Sequence, residues 1–308
     1  MCGLPEVIER KGTGMDVNYE LYKVFYYVAS LLSFSEASRK LYISQSAVSQ
    51  SVKLLEKKLN CTLFVRSTKK VQLTPEGEIL LRYIEPAINM IKRGETQLME
   101  ADSLNGGQLR IGASDTICRY YLLPFLNQFH REHPNVHINV TNQSSIRCVE
   151  LLNNGQVDFI VVNYPNSLLM NENRYKIVKE FQDVFVAGEK YSELKDNQVS
   201  LKELQNYPIL MLDRKSTTSE YLRMIFEKNQ LELIPEIEIS SNDLLLDLAR
   251  IGLGITFVPD YCIPKEHEEL FRLETKETIR KRQLAVAYND KLPLSQAAEY
   301  FIGLLGEL

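Results

Sequence analysis

The stretch Phe34 to Leu59, FSEASRKLYISQSAVSQSVKLLEKKL, restricts the fold more than any other part of the chain. Val48, Val52, Leu55 and Leu59 recur at helical spacing, while Gln45, Ser46, Ser49, Gln50 and Lys53 fall on the opposite side. Ahead of them, Ala37 and Leu41 give a shorter segment an apolar edge. Ser35 stands where its cap is expected, with Phe34 before it as a hydrophobic staple. Ser44 is placed to cap the longer helix, which leaves only a few residues for the turn between the two. Leu21, Val24, Phe25 and Val28 supply a further stripe, enough to complete a three-helix core. A helix that buries one face and presents amides, hydroxyls and an ammonium on the other suits the major groove of DNA. The plainer alternative is a helical hairpin whose polar face meets only water.

The next residues favour the first reading. Thr62 to Thr74, TLFVRSTKKVQLT, is short, β-rich and basic at its tip, so Arg66, Lys69 and Lys70 are expected on a hairpin within reach of phosphates. The whole chain of 308 residues carries a net charge of −4, unevenly. Residues 15–74 hold nine Lys and Arg against four Asp and Glu, a net of +5; residues 1–14 balance, and the remainder carries −9. A basic head on an acidic body is what DNA contact by one end requires.

The run SQSAVSQSVKLLEKKLNCTLFVRSTKKVQLTPEG resembles the winged helix-turn-helix of the LysR-type transcriptional regulators. The matching positions are Ser44-Gln45, Ala47-Val48-Ser49, Leu55-Glu56, Leu59, Leu63-Phe64, Arg66 and Leu73-Thr74-Pro75-Glu76-Gly77, after an alanine-containing first helix from Ser35 to Leu41. Ser46 departs from the proline common there. The resemblance implies that the helix from Ser44 enters the major groove. It makes Ser35, Ser44, Gln45, Ser46, Ser49, Gln50, Lys53, Arg66, Lys69 and Lys70 the expected DNA-contacting residues.

From Pro75 the pattern becomes one long helix. Leu80, Ile84, Ala87, Ile91 and Leu98 keep a seam in steps of four and three, with Gly94 in the missing place, which suggests pairing with a second copy. Residues 75–102 as a helix would measure about 40 Å. Pro86 removes the bond to the carbonyl of Arg82, so a bend or break is expected there. Asn105-Gly106-Gly107 then marks a hinge. In the resembled family this helix is a linker that makes the dimer.

Beyond the hinge, strands alternate with helices. Leu109–Gly112, Val136–Val140 and Val157–Val162 read as strands, with helices over Tyr121–Glu132 and Ile146–Asn153 between them, the βαβαβ signature of a parallel sheet. A second set comes after it. Its strands are expected at Val184–Ala187, Ile209–Leu212, Ile237–Ile239 and Gly252–Val258, its helices at Ser219–Glu227 and Leu244–Ile251. Leu284–Tyr288 is expected to cross back to the first lobe, closed by a helix over Ser295–Leu305. Strand order together with the family likeness implies a two-lobed α/β effector domain similar to type II periplasmic binding proteins. The expected organisation is an unexplained extension over 1–14 and an all-α winged helix-turn-helix over 15–74. A linker helix and hinge occupy 75–107, then an effector domain 108–308, with lobe I about 108–183 and 284–308 and lobe II about 184–283.

In open α/β sheets ligands sit beyond the carboxyl ends of strands, where helix N-termini present N–H groups. Three polar clusters fall there: Ser114, Asp115 and Thr116; Asn142, Gln143 and Ser144; and Ser216, Thr217 and Thr218. Capping explains the same residue types, and the resemblance aligns them with effector-contacting loops. Hydroxyls and helix ends suit a carboxylate-bearing metabolite, whereas the carboxylate of Asp115 suits an amine-bearing one such as an amino acid.

Cys118 and Cys148 lie near expected helix starts, where a thiol is more acidic, and so raise a redox switch against the commoner inert thiol. Cys61, next to the wing, reads as core-lining. His130, His133 and His137 lack partners with metal-ligand spacing. No nucleophile elbow, zinc-protease, Walker A or dinucleotide fingerprint is present. The expectation is a sequence-specific DNA-binding regulator, cytoplasmic and not an enzyme. It has no cofactor and no metal, and is controlled by a small-molecule effector. Operator DNA and a homodimer or homotetramer are the expected associations, with no membrane, and RNA polymerase by resemblance. The alternative is a metabolite-binding α/β enzyme or binding module with a non-regulatory N-terminal domain.

Overall fold

The computed structural model describes residues 17–66, 70–100, 107–166, 168–169, 174–263, 269–290 and 292–306. The N-terminal extension, Lys69 and the Asn105-Gly106 part of the expected hinge lie outside them. The chain forms two compact units, one ending at Lys92 and the other beginning at Arg93. Among the described residues, no helix is long and apolar enough to cross a membrane.

The first unit contains α1 (Tyr19–Leu31), α2 (Phe34–Leu41) and α3 (Gln45–Leu59), then β1 (Phe64–Arg66), β2 (Val71–Leu73) and the start of α4 (Pro75–Glu100). The stripes read from the sequence meet in one core: Leu21, Val24, Phe25 and Val28 from α1, Ala37 from α2, and Val48, Val52 and Leu55 from α3. Ser33, not Ser35, caps α2, accepting from the Glu36 N–H at 3.2 Å. Phe34 is the first helical residue and packs its ring on Phe64. The helix therefore starts two residues earlier than its composition suggests, because Ser33 takes the extended conformation a cap needs.

The segment after α3 is tied down by a few bonds. The Glu56 carboxylate accepts from the backbone N–H groups of Leu63 and Phe64, at 2.8 and 3.3 Å. Thr74 accepts from the Gly77 N–H at 3.0 Å and donates its hydroxyl to the Thr62 carbonyl at 2.7 Å, starting α4 with Pro75 in its first turn. A Cβ on Gly77 would stand 2.2 Å from the Leu63 carbonyl oxygen, so this position admits only glycine without a backbone shift. Gly77→Ala is expected to cost roughly 1–3 kcal/mol, the usual cost of overpacking. Chemical denaturation of the two proteins measures it, and equal midpoints would contradict the close approach.

Pro86 does not break α4, which runs through it to Glu100. One ladder bond is lost there, and the turns on either side carry the helix across. The expected seam is also uneven. Leu80 and Ile84 pack on the first core, whereas Ile91 and Leu98 are exposed, 44% and 81%.

The second unit runs through β3 (Gln108–Ala113), α5 (Asp115–Ile117), a π turn at Cys118–Leu122 leading into α6 (Leu123–Glu132), β4 (His137–Asn142), α7 (Ser145–Asn153), β5 (Phe159–Tyr164) and β6 (Arg174–Phe181). It continues with β7 (Asp183–Gly188), a 3-10 helix at Glu189–Leu194, β8 (Gln198–Val199), α8 (Leu201–Leu204), β9 (Ile209–Leu212), α9 (Thr217–Lys228), β10 (Ile237–Ile239), α10 (Asn242–Arg250), β11 (Ile255–Pro259) and β12 (Leu270–Thr275). β13 (Arg282–Tyr288) and α11 (Gln296–Leu304) close it.

Two sheets result, ordered β4-β3-β5-β13-β6 and β10-β9-β11-β7-β12-β8. The first is mixed rather than parallel: β4, β3 and β5 run parallel, and β13 is antiparallel to both β5 and β6. β13 does return to the first sheet, as expected, and it starts at Arg282, two residues before the expected lobe boundary. β6, β8 and β12 were not foreseen. β6, RYKIVKEF, sits at the sheet edge, where charged residues face solvent and hide the alternation. The helix expected from Tyr121 begins at Asp115, capped by Ser114. The central strands of each sheet are buried on both faces. In β7, Phe185 and Ala187 enter one core, and Val184 and Val186 the other, as the two-residue period demands.

Candidate functional site

In the first unit, α3 starts at Gln45 with Ser44 capping the Ala47 N–H at 3.1 Å, as the sequence indicates. The Ser44 and Ser46 hydroxyls lie 2.9 Å apart. Val48, Val52 and Leu55 are fully buried, and Gln45, Ser46, Gln50 and Lys53 are exposed on the other side, with Ser49 half-buried between them. Ser35 is half-buried in the first turn of α2, and its carbonyl accepts from Ser38. Arg66 ends β1 and Lys70, exposed, precedes β2. Tyr42, in the turn before α3, was passed over: it is 93% exposed in a left-handed conformation.

In the second unit, a cavity of about 370 Å³ collects all three polar clusters. Ser114, Asp115 and Thr116 follow β3; Asn142, Gln143 and Ser144 link β4 to α7; Ser216, Thr217 and Thr218 open α9. The serines cap their helices as well as lining the cavity: Ser114 accepts from the Ile117 N–H at 3.3 Å, Ser144 from Arg147 at 3.4 Å, and Ser216 from Thr218 at 3.2 Å. Capping and lining are thus one arrangement. A fourth helix start was missed. Ser240, Ser241 and Asn242 also line the cavity, and Ser241 caps α10. The Ser-Ser-Asn triplet carried the same capping signal as the other three. Asn163, Lys215 and Tyr261 also line it, with Ser145, Leu212, Asp213 and Pro259; they had no local pattern to reveal them.

Bonds cross the cavity from one sheet to the other. Asn163 on β5 donates to Thr217 at 3.0 Å, and Asn242 on α10 donates to Thr116 at 2.9 Å. The Tyr120 hydroxyl donates to Asp243, and Arg119 approaches the same carboxylate at 3.5 Å. Behind Thr217 and Thr218 stands Arg282, which donates to both hydroxyl oxygens, at 3.1 and 3.2 Å, and to the Asp183 carboxylate at 2.8 Å. Asp183 and Arg282 are buried, and burial pushes the Asp183 carboxyl above its ordinary value even against the guanidinium. Burial also holds the Tyr261 phenol well above its ordinary range, so it stays protonated. The N-termini of α7, α9 and α10 on one cavity favour a bound anion, against the carboxylates of Asp115 and Asp213 that also line it.

Cys118 and Cys148 fit the commoner inert thiol rather than the redox switch. Cys118 opens the π turn, four residues after the Ser114 cap, and burial pushes its thiol up to about 12. Cys148 is likewise pushed up to about 12, first by burial and then by Cys118. Desolvation outweighs the helix end at both. Cys61 packs against the first core, as expected. No group of His, Cys, Asp or Glu among the described residues could hold a metal.

Known proteins share both units. Residues 19–78 match the family described as "Bacterial regulatory helix-turn-helix protein, lysR family", and residues 102–308 match "LysR substrate binding domain". A "Probable RuBisCO transcriptional regulator" of Gracilaria tenuistipitata var. liui is 30% identical over 87% of this chain and 89% of its own length. Among solved structures, full-length CbnR complexed with its target DNA has a TM-score of 0.65 at 16% identity, covering 94% of this chain and 99% of that one. The regulatory domain of Synechocystis PCC6803 CcmR in complex with 2-PG has a TM-score of 0.59 at 19% identity, covering 65% of this chain and 95% of that domain.

Proposed function

The chain belongs to the LysR family of bacterial transcriptional regulators, and we propose that it reads operator DNA with α3 and answers to a small anionic effector held in the cavity of its second unit. The observation that carries the reading is the division of α3 into a fully buried stripe and an exposed face of amides, hydroxyls and a lysine. Gln45, Ser46, Ser49, Gln50 and Lys53 contact base edges, and Ser44 and the first turn of the helix take a phosphate. Ser35, in the first turn of α2, is read as a further contact. Arg66, Lys69 and Lys70 bind phosphates on either side of the wing.

In this reading the winged helix-turn-helix occupies 15–74, the linker helix and hinge 75–107, and the effector domain 108–308. Exposed Ile91 and Leu98 on α4 supply part of a surface for a second copy, and pairs of heads on paired half-sites multiply discrimination. Ligand in the cavity alters the balance between sheet arrangements and so the geometry in which the heads meet DNA. RNA polymerase gains or loses access as a result. The protein works in the cytoplasm by binding rather than by turnover. The DNA-bound CbnR and ligand-bound CcmR folds support the two halves of this reading.

Fluorescence anisotropy over a salt series, with DNA from upstream of the protein's own reading frame against scrambled DNA, tests the first half. Operator preference of about a thousandfold, weakening with salt, is expected; equal affinity for operator and scrambled DNA across that series would contradict it. Gln50→Ala is expected to lower discrimination by about 1–3 kcal/mol at one base pair. If affinities for operator and random DNA fall equally, Gln50 does not read a base.

A further inference from the structure

α2 and α3 end in the same way. The Tyr42 N–H donates to the Arg39 carbonyl at 3.3 Å and the Ile43 N–H to that of Ser38 at 3.1 Å. At the end of α3 the Asn60 N–H donates to Lys57 at 3.3 Å and the Cys61 N–H to Glu56 at 3.1 Å. Both turns need a left-handed residue at the cap, with φ 56° and ψ 36° at Tyr42 and φ 51° and ψ 38° at Asn60. Asparagine takes this conformation readily, whereas a bulky side chain is strained in it. α3 thus carries a residue type that its turn favours, and α2 does not.

Packing does not account for the tyrosine either. Its side chain is almost fully exposed. Among the described residues its hydroxyl makes no hydrogen bond and its ring no aromatic contact. What distinguishes the side chain is its place. Ser44, which caps α3, follows two residues later, within about 7 Å of chain. Ser44, Gln45 and Ser46 are all exposed there, so the phenol stands free beside the polar start of α3. Tyrosine hydroxyls are among the groups that bind phosphate oxygens, and such contacts fix the register of a protein on the duplex.

Resting on the reading that α3 enters the major groove, we propose that Tyr42 is a positioning residue for DNA, its phenol donating to a phosphate of the strand that flanks the start of α3. The strained cap is kept because it presents the phenol there. The contact carries no base information, so it tightens operator and random DNA alike. The phenol is uncharged and displaces no counterion, so it leaves the salt dependence unchanged, unlike a lysine on a phosphate.

Tyr42→Phe and Tyr42→Asn in the full chain test this, by fluorescence anisotropy with the upstream and scrambled DNA over a salt series and by urea denaturation. Both variants are expected to bind either DNA about three- to tenfold more weakly, the worth of one hydrogen bond. The ratio between the two DNAs and the slope against salt are expected to stay as in the parent. Tyr42→Asn relieves the cap, so its urea midpoint is expected at or above that of the parent. The asparagine variant therefore separates DNA binding from folding, since it loses affinity without losing stability. Unchanged affinity in Tyr42→Phe overturns the proposal, and so does a loss confined to the upstream DNA, which would mean that a base is read. A lower midpoint in Tyr42→Asn overturns it as well, because the ring would then support the fold. A parent that binds both DNAs equally overturns the operator reading alone, and the losses at Tyr42 still decide the phosphate contact. A parent that binds neither DNA overturns both.

Discussion

Replacing Asp158 with alanine is expected to lower the free energy of unfolding by about 3–5 kcal/mol. Asp158 lies immediately before β5 and is nearly inaccessible. It holds Arg93, from the C-terminal part of α4, at 2.9 Å, and Arg110, on β3, through both side chain and backbone N–H, at 3.2 and 2.9 Å. Arg93 is itself buried, and burial pulls its guanidinium below the ordinary value although Asp158 works against this. Removing the carboxylate leaves that charge with neither water nor counter-ion, which is the costly case for a buried ion pair. Arg93→Met with Asp158→Leu removes both charges and is expected to recover most of the loss. Urea denaturation of the single and double variants separates the contributions. A single-variant loss of less than about 1 kcal/mol, the range of surface pairs, would show that the pair is hydrated in solution.

Arg282→Met is expected to cost a similar amount, about 3–5 kcal/mol, and to add a pH dependence. Asp183 is fully buried and takes its one close cation among the described residues from Arg282; its second oxygen has no partner among them. Phe181 and Tyr221 flank the guanidinium at 5.4 and 5.1 Å, and a methionine can fill that slot without replacing the charge. Burial already raises the Asp183 carboxyl, and losing Arg282 raises it further. A carboxyl whose folded value lies above its unfolded value binds more protons folded than unfolded across the interval between them. Stability therefore falls as pH rises through that interval, starting near the ordinary carboxylate value of about 3.9. The deficit of the variant relative to the parent is expected to be smallest in acid and fully developed above the raised value. A deficit independent of pH would mean that Asp183 keeps its charge by another route.

Much of the local structure was legible before any coordinates. The helical stripes of α1 and α3 and the cap at Ser44 appear where spacing placed them, because a period of 3.6 and a capping oxygen are properties of neighbouring residues. The three polar clusters stand at helix starts for the same reason. The failures are equally local in origin. Ser33 and Ser35 both have the chemistry of a cap, and backbone conformation chose the first. Pro86 argued for a bend or a break, and α4 runs through it without a break. Charged residues on β6 disguised an edge strand.

Sequence alone thus determined the helix-turn-helix, the uneven charge, the alternation of strands and helices, and the polar residues that begin three of the helices around the cavity. All of these depend on residues a few positions apart. Tertiary structure alone decided that four helix starts share one cavity, that Arg282 stands behind Thr217 with Asp183 as its counter-ion, and that Arg93 is buried on Asp158. It also turned Cys118 and Cys148 from candidate acidic thiols into ones pushed up to about 12. These are consequences of which distant segments pack together and how much water they exclude. Desolvation and ion pairing depend on that three-dimensional surrounding rather than on sequence neighbours.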